Sequence, residues 1–182
     1  TVTITDVQFT DGNIGFSIGK DAAGYGYIYK TIDGGLSWNR IDPKSADLNK
    51  VKMLDANTGY AVGNDGLFLK TTDAGINWQL ITLNVTAVPS PITGICTKNL
   101  NDLVIKTTDY IVVVGDAGTI IKYQFNGSAW VASNMAGANI VNTMDVKSIT
   151  LDEFNNGGSM VIKAYITVNI PTASSLCTRA TS

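Results

Sequence analysis

The chain has no histidine, and only two cysteines and two arginines, among its 182 residues. Nucleophilic catalysis therefore lacks its usual general base, and neither Cys96 nor Cys177 has an evident catalytic partner. Arg40 and Arg179 cannot form the arginine cluster that would hold a substrate carboxylate. With a net charge of -2, the chain also lacks the basic surface that nucleic acid or an anionic membrane would require.

Long hydrophobic runs and glutamate are also scarce. The longest aliphatic run, Ile111–Val114, is far shorter than the ~20 residues that a membrane-spanning helix needs. Glu153 is the only glutamate, and every other acidic residue is aspartate. Because aspartate favours turns and glutamate favours helix, this ratio predicts many tight turns and little helix. Since the chain begins at Thr1 without a charged-then-apolar leader, we expect a processed or excised product.

The two cysteines are too few for a disulfide framework and lack the spacing of a metal site. One bridge between Cys96 and Cys177 would close a loop of about 80 residues, worth on the order of 4 kcal/mol in the chain-entropy model. The sequence leaves that disulfide and two buried thiols as alternatives.

An internal repeat organises most of the chain. Two stretches 40 positions apart, residues 31–38 and 71–78, both read Thr-x-Asp-x-Gly-x-(Ser/Asn)-Trp. Around each, alternating apolar residues form four short segments separated by Asp, Asn and Gly, as in a four-stranded propeller blade. A third unit keeps an offset of 52 from the second and retains Trp130, but Tyr123 and Phe125 stand where the Thr and Asp would be. A fixed period near 40 residues is typical of propellers.

We therefore predict an all-β fold of propeller blades, each with four antiparallel strands. A single domain or fragment of 1–182 is divided into blades at about 4–43, 48–84 and 101–134, a partial fourth blade at 143–170 and a tail at 171–182. Propellers usually have four to eight blades. We expect this unit to be part of a larger ring, or of one that another subunit completes.

The repeated box is interpreted as a set of fold-specifying residues. Its Asp is expected to accept hydrogen bonds from backbone N–H groups of the turn, its Gly to adopt a left-handed conformation, and its Trp to pack across the hairpin on the Thr. No Asp-x-Asp-x-Asp-Gly run gathers calcium ligands, so neither a metal nor a cofactor is predicted. The structural set is Thr31, Asp33, Gly35, Trp38, Thr71, Asp73, Gly75, Trp78 and Trp130.

The eight-residue pattern resembles the Asp box, or BNR repeat. With its preceding Val-Gly-(Asn/Asp)-x-Gly turn, the fuller unit resembles Ycf48-like repeats over roughly residues 4–133. The resemblance implies a β-propeller and no activity. Asp boxes also occur in sialidases, which need the missing arginines, and in xyloglucan-cleaving propellers, which use paired aspartates. A Ycf48-like role would be photosystem assembly, but that binding is attributed to a basic surface, which disfavours the role here.

Function is expected where the repeat is broken. The first unit has four extra residues within Lys20–Tyr25, and twelve extra residues lie within Asn84–Asn101, between the second and third units. In a propeller both kinds of loop emerge on the face opposite the boxes, and clustered insertions often mark a binding side. The candidate ligand-binding residues on that face are Lys20, Asp21, Tyr25, Asn64, Asp65 and Asp116.

These observations predict a non-enzymatic, extracytoplasmic binding or structural module that presents its loops to a protein or glycan. Further blades of the same polypeptide or of another subunit are also expected partners, whereas nucleic acid and membrane insertion are not. The alternative is a fragment of a carbohydrate-active glycoside hydrolase whose catalytic carboxylates span blades outside this chain.

Overall fold

The computed structural model describes residues 2–45, 47–86, 93–134, 145–152 and 161–165. Within these ranges every regular element is a β-strand, apart from a 3-10 turn at Asn64–Gly66. None of these segments forms a helix long and apolar enough to cross a membrane. The predicted all-β fold with little helix is confirmed.

The first two blades are four-stranded antiparallel sheets whose strands are paired in chain order. The first blade contains β1 (Thr3–Phe9), β2 (Gly15–Lys20), β3 (Gly26–Thr31) and β4 (Asn39–Ser45). The second contains β5 (Leu48–Met53), β6 (Gly59–Gly63), β7 (Phe68–Thr71) and β8 (Gln79–Leu80).

The third blade has two additional strands at its outer edge. Its sheet comprises β9 (Asn84–Thr86), β10 (Thr93–Ile95), β11 (Leu100–Thr107), β12 (Tyr110–Gly115), β13 (Ile120–Phe125) and β14 (Trp130–Asn134), in the spatial order β10-β9-β14-β13-β12-β11. Strand β9 runs parallel to β14 and pairs antiparallel with β10. The twelve-residue insertion, expected as a loop, thus contributes strands to the sheet of the following blade.

The fourth blade begins with the antiparallel pair β15 (Ser148–Asp152) and β16 (Val161–Tyr165). Cys177 and the rest of the predicted tail lie outside the described residues, so the disulfide stays a prediction. Cys96 is half-buried, and burial raises the pKa of its thiol.

Each blade packs one sheet face against its predecessor, which we call its near face, and the opposite far face against its successor. The far-face residues of the first blade are Phe16, Ile18 and Ile28, which pack with Leu48, Val51, Met53, Ala61 and Leu69 of the second. The second blade presents Tyr60, Val62 and Phe68 to Leu100, Leu103, Val113 and Ile121 of the third. Val112 and Val114 of the third blade contact Val146 and Ile149 of the fourth. The core is therefore a series of interfaces between successive sheets.

The first strands of successive blades are also joined by a repeated side-chain hydrogen bond. Each of β1, β5 and β11 has a register irregularity near its start, which is where a β-bulge re-aims a side chain. At that position a polar side chain donates to a backbone carbonyl of the next blade. The three bonds are Thr5 Oγ1 to Leu48 O (2.9 Å), Asn49 Nδ2 to Leu100 O (2.8 Å) and Asn101 Nδ2 to Val146 O (3.0 Å).

Candidate binding edge

The Asp boxes lie on one edge of the blades, which we call the box edge, between the third and fourth strands. In the first box Asp33 accepts hydrogen bonds from the backbone N–H (2.9 Å) and the hydroxyl of Ser37. The Thr31 hydroxyl donates to Asp33 (2.7 Å) and accepts from the N–H of Gly35 (2.9 Å). These hydrogen bonds, chiefly those from Ser37, lower the pKa of Asp33 to about 2.

The second box repeats this geometry. Asp73 accepts hydrogen bonds from the backbone N–H (2.9 Å) and side-chain amide (2.7 Å) of Asn77, which lower its pKa. The N–H of Gly75 donates to the Thr71 hydroxyl at 2.9 Å. Gly75 has φ +76° and its counterpart Gly35 has φ +93°, so both adopt the left-handed conformation that favours glycine. Both carboxylates are therefore engaged within their own turns.

The three box tryptophans pack against different aromatic residues. Trp38 packs edge-on against Phe9 of its own blade, with ring centroids 6.0 Å apart. Trp78 packs edge-on against Phe16 of the preceding blade, at 6.5 Å. Trp130 stacks on Tyr123 at 4.7 Å. In the third blade, an aromatic stack thus occupies the place of the polar box contacts.

A lysine lies just before each Asp box, and its ammonium group contacts the next blade. The sequence analysis did not predict these contacts. Lys30 Nζ donates to the carbonyl of Ala74 in the second box (2.7 Å) and lies 5.7 Å from the Phe16 ring centroid. Lys70 Nζ lies 5.0 Å from the ring centroid of Trp130 in the third blade. The signal was available, because a lysine precedes the box position in all three units, at 30, 70 and 122.

The opposite edge, which we call the loop edge, holds the loops between second and third strands and the blade-to-blade connections. Three of the predicted ligand-binding residues, Lys20, Asp21 and Tyr25, lie in or beside the first blade's loop on this edge. Lys20 pairs with Asp47 of the blade connection at 2.7 Å. Asp21 accepts hydrogen bonds from the Tyr27 hydroxyl (2.8 Å) and the N–H of Tyr25 (3.0 Å), and the Tyr27 bond is the main cause of its lowered pKa. Tyr25 itself is 63% exposed.

Asn64 and Asp65 of the second blade reach both neighbouring connections. The N–H of Asn64 donates to the carbonyl of Asp47 at 2.9 Å, and its side-chain oxygen accepts from Asn49 at 3.0 Å. The N–H of Asp65 donates to the Asn99 side chain at 3.1 Å. Asp65 has φ 55°, a left-handed conformation that aspartate tolerates better than most residues, and its side chain is exposed.

Asp116 of the third blade is the most densely bonded of the candidates. It accepts hydrogen bonds from Asn101 (2.8 Å), Asn99 (3.0 Å) and Lys147 (2.8 Å). Burial would raise the pKa of Asp116, but these partners outweigh it, and the pKa lies below its ordinary value. Lys147 also pairs with Asp145 at 3.1 Å, which extends the contacts to the start of the fourth blade.

The structure therefore links Lys20, Asn64, Asp65 and Asp116 along one edge across successive blades, with Asp21 and Tyr25 in the adjoining loop. We call the side chains that join them the loop-edge network. The first strand of each of the later blades begins with the same motif, in which a polar residue stands on each side of an aliphatic one. Sequence reasoning missed this motif. The missed members are Asp47, Asn49, Asn99, Asn101, Asp145 and Lys147.

The chemistry of the loop edge suits recognition of polar ligands. Among the described residues, none donates a hydrogen bond to the buried Oδ1 of the Asp47 carboxylate. Across the described ranges, no three metal-ligating side chains come together as a metal site would require. The loop edge thus presents amide, carboxylate and ammonium groups that hydrogen bonds hold in place, beside an exposed tyrosine. Such groups can bind a polar ligand, and the tyrosine ring adds an amphipathic contact.

Comparison with known proteins identifies related chains. The family model described as Photosynthesis system II assembly factor YCF48 matches residues 1–98. The photosystem II assembly lipoprotein Ycf48 of Synechococcus sp. (strain CC9902) is 28% identical over 139 residues, covering 73% of this chain and 38% of that protein. The chloroplastic photosystem II stability/assembly factor HCF136 of Arabidopsis thaliana is 42% identical over 52 residues, covering 27% of this chain and 13% of that protein.

A solved structure supports the fold. The chain described as "YCF48 bound to D1 peptide" matches with a TM-score of 0.50 and 22% identity, over 79% of this chain and 42% of that one. The present chain thus spans well under half the length of these related proteins. The propeller fold predicted from the sequence is confirmed by this likeness together with the observed sheets.

Proposed function

Because the chain belongs to the Photosynthesis system II assembly factor YCF48 family, we propose that it is a non-enzymatic, protein-binding propeller segment that holds an extended segment of a client protein at its loop edge. The family match over residues 1–98 is the observation that carries the proposal. It outweighs the sequence argument against an assembly role, which rested on the acidic balance and the two arginines.

The client is a peptide segment of the kind represented by the D1 peptide, to which the solved relative is bound. The loop-edge network supports this choice, because its groups are already held by hydrogen bonds and lose little freedom on binding. Tyr25 adds a large exposed contact at low entropic cost.

Charge favours a peptide that carries basic residues. Lys20 and Lys147 are already paired with Asp47 and Asp116. Asp65 is exposed, and the whole chain has a net charge of -2. The site therefore complements a positively charged segment rather than an acidic one.

Neither a glycan partner nor the glycoside hydrolase alternative has support among the relatives described above, which are named as photosystem II assembly proteins. The box aspartates Asp33 and Asp73 are engaged by their own turns. An extracytoplasmic location is part of the proposal, supported by the lipoprotein name of the Synechococcus relative. Fractionation of the producing cell checks it.

A binding titration tests the function. A fluorescently labelled D1 peptide is titrated with the full chain, and the anisotropy gives Kd. We expect Tyr25→Ala and Asp65→Ala to weaken binding by roughly tenfold each, a loss typical of a contact that matters to an interface. The matched control is Leu36→Ala, because Leu36 is 90% exposed but lies on the box edge. It should leave Kd unchanged.

Three outcomes would contradict the proposal. If the wild-type chain did not bind the peptide detectably, the proposed client would be wrong. If the loop-edge and control variants changed Kd equally, the proposed binding site would be wrong. Release of sugar from a glycan, abolished by a single Asp→Asn change, would replace the binding module with a hydrolase.

A further inference from the structure

The turn between β13 and β14 contains an asparagine followed directly by a glycine, Asn126-Gly127. The side-chain oxygen of Asn126 accepts hydrogen bonds from the backbone N–H groups of Ser128 and Ala129, both at 3.0 Å. The backbone N–H of Asn126 donates in turn to the carbonyl of Ala129 at 3.0 Å. The asparagine side chain is therefore held against its own turn, and two backbone donors polarise its amide carbonyl.

This turn stands where the first two units have their Asp boxes. At the offset of 52, Ala129 corresponds to Asn77, whose backbone N–H donates to the carboxylate of Asp73 at 2.9 Å. Phe125 takes the position of Asp73 in the third unit, and the N–H of Ala129 donates to the neutral amide of Asn126 instead. The third unit thus keeps the backbone donor of the box but has lost the carboxylate.

Gly127 leaves the side chain of Asn126 open to attack by the next backbone nitrogen. Gly127 has φ +94°, and a Cβ placed on it would meet no described atom within 4 Å. Residues 126–129 are all exposed, so water and hydroxide reach the turn. Among the described residues, none accepts a hydrogen bond from the N–H of Gly127. Because glycine has no Cβ, nothing crowds this nitrogen as it approaches the side-chain amide.

We propose that Asn126 is a site of spontaneous deamidation, which returns a carboxylate to the third unit. The nitrogen of Gly127 loses its proton to hydroxide and attacks Cγ of Asn126. The new N–Cγ bond forms, the Cγ–Nδ2 bond breaks, and the amino group leaves as ammonia with a proton taken from water, so that a cyclic succinimide remains. Water then opens the ring at either carbonyl and gives aspartate or isoaspartate. Asparagine and water are thus converted to an acidic residue and ammonia, and no oxidant or reductant takes part.

The two backbone donors of the turn promote the first step. As the nitrogen attacks, negative charge develops on Oδ1 of Asn126, which already accepts hydrogen bonds from Ser128 and Ala129. Donors that are fixed in place around a developing oxyanion stabilise the transition state. The folded turn therefore adds to the reactivity that the Asn-Gly pair has on its own.

Two other turns of this chain show that the aspartate product fits. The carboxylates of Asp11 and Asp55 each accept hydrogen bonds from the N–H groups two and three residues later, as the amide of Asn126 does. These hydrogen bonds, chiefly those from Ile14 and Thr58, lower the pKa of both carboxyl groups. A turn of this form stabilises a carboxylate, so aspartate at position 126 keeps both hydrogen bonds and makes them charge-assisted.

Timed incubation of the folded full chain tests the inference. Every sample carries Asn156→Gln, because Asn156-Gly157 is the other Asn-Gly pair of the sequence and lies outside the described residues. The chain is held in mildly alkaline buffer and digested at intervals below neutral pH, and tandem mass spectrometry locates the change. We expect position 126 to gain progressively the mass that distinguishes aspartate from asparagine. The gain should be faster at higher pH, because the nitrogen of Gly127 must lose its proton.

Two other exposed asparagines in turns are internal controls. Asn13 and Asn57 should gain little mass over the same period, because each is followed by a β-branched residue, Ile14 or Thr58, that crowds the attacking nitrogen. Gly127→Ala should slow the reaction at position 126 severalfold for the same reason, and its circular dichroism spectrum checks that it folds. A further sample is unfolded in urea, which keeps the Asn-Gly pair but removes the turn. The folded chain should react at least as fast as this sample.

The variant Asn126→Asp tests the product. Its midpoint of thermal unfolding should equal or exceed that of the fresh chain, since charge-assisted hydrogen bonds replace neutral ones. On ion exchange it should elute with the aspartate fraction of the incubated chain.

Four results would overturn the inference. These are no mass gain at position 126 in the folded chain, a gain no faster than at Asn13 and Asn57, an unchanged rate in Gly127→Ala, or a rate slower in the folded chain than in urea, which would mean that the turn protects the asparagine. A lower unfolding midpoint for Asn126→Asp would contradict the returned carboxylate. None of these measurements involves the D1-peptide titration, so this inference and the proposed function can fail separately.

Discussion

The first and second blades carry the same eight-residue box and the same order of strands, yet they are held in different ways. In both boxes the Thr and Asp side chains make matching hydrogen bonds. The second blade packs its near face on Phe16 and Ile18 of the first, while the first blade's own near face is exposed. The repeat thus sets local geometry, and the neighbouring blade decides how much stability each copy contributes.

The largest expected difference lies between two phenylalanines of the first blade. Phe16 is 0% exposed in the interface, so Phe16→Ala should cost about 3–5 kcal/mol of unfolding free energy. Phe9 is 43% exposed on the open face, so Phe9→Ala should cost roughly 1 kcal/mol. Urea unfolding of both variants measures the contrast. Equal losses would mean that the two faces of this blade are equivalent.

The box tryptophans provide the next comparison. Trp78 packs on Phe16 across the blade interface, and Trp78→Ala should cost about 3 kcal/mol. Trp38 has Phe9 as its aromatic partner and lies at the open face, so Trp38→Ala should cost about 1–2 kcal/mol. Thermal unfolding of the two variants orders them. A larger loss for Trp38 would contradict the role assigned to the neighbouring blade.

Alanine substitutions at the two box glycines distinguish the cost of backbone strain from the cost of a packing clash. Both Gly35 and Gly75 have positive φ, so alanine at either site is strained, by about 1 kcal/mol. A Cβ at Gly75 would also lie 2.3 Å from a ring carbon of Phe16, whereas at Gly35 its nearest neighbour in Phe9 is 3.6 Å away. We expect Gly75→Ala to cost about 2 kcal/mol and Gly35→Ala about 1 kcal/mol. In the Phe16→Ala background that difference should vanish.

The smallest effect concerns pH and the first box. The pKa of Asp33 is lowered from 3.8 to about 2, so its hydrogen bonds stabilise the folded chain above pH 3.8 and this contribution is lost as pH falls towards 2. The variant D33N should flatten the fall of the unfolding midpoint between about pH 4 and 2. D73N is its counterpart in the second box, where the pKa is also lowered. An unchanged slope in D33N would contradict the role of the Ser37 hydrogen bonds.

Much of the fold could be predicted from the sequence because its signals are short-range. The Thr-x-Asp-x-Gly pattern closes its hydrogen bonds within a few residues, for example from Ser37 to Asp33. The offset of 52 for the third unit also holds, since Leu100 and Leu103 bury the same face as Leu48 and Val51. Pattern alone therefore placed the four strands of each of the first two blades and strands β11 to β14 of the third, but not β9 and β10.

The candidate site was less predictable. Lys20, Asn64, Asp65 and Asp116 were placed on one edge from topology, and the structure brings them to that edge. Their partners Asp47 and Asn99 were missed although they recur at the start of successive first strands, because both lie in blade connections, outside the strand and box positions that were aligned. The repeat gives the positions of these polar residues, but which of their side chains contact one another depends on how neighbouring blades pack.

By itself the amino-acid sequence determined the blade, because a box turn and four alternating strands require only neighbours in the chain. The tertiary structure decided the rest. It placed β9 beside β14, gave Trp78 a partner in Phe16, linked Asp116 to Lys147 and exposed Val7. Each of these features depends on how segments distant in the sequence pack together, and no local sequence pattern sets that packing.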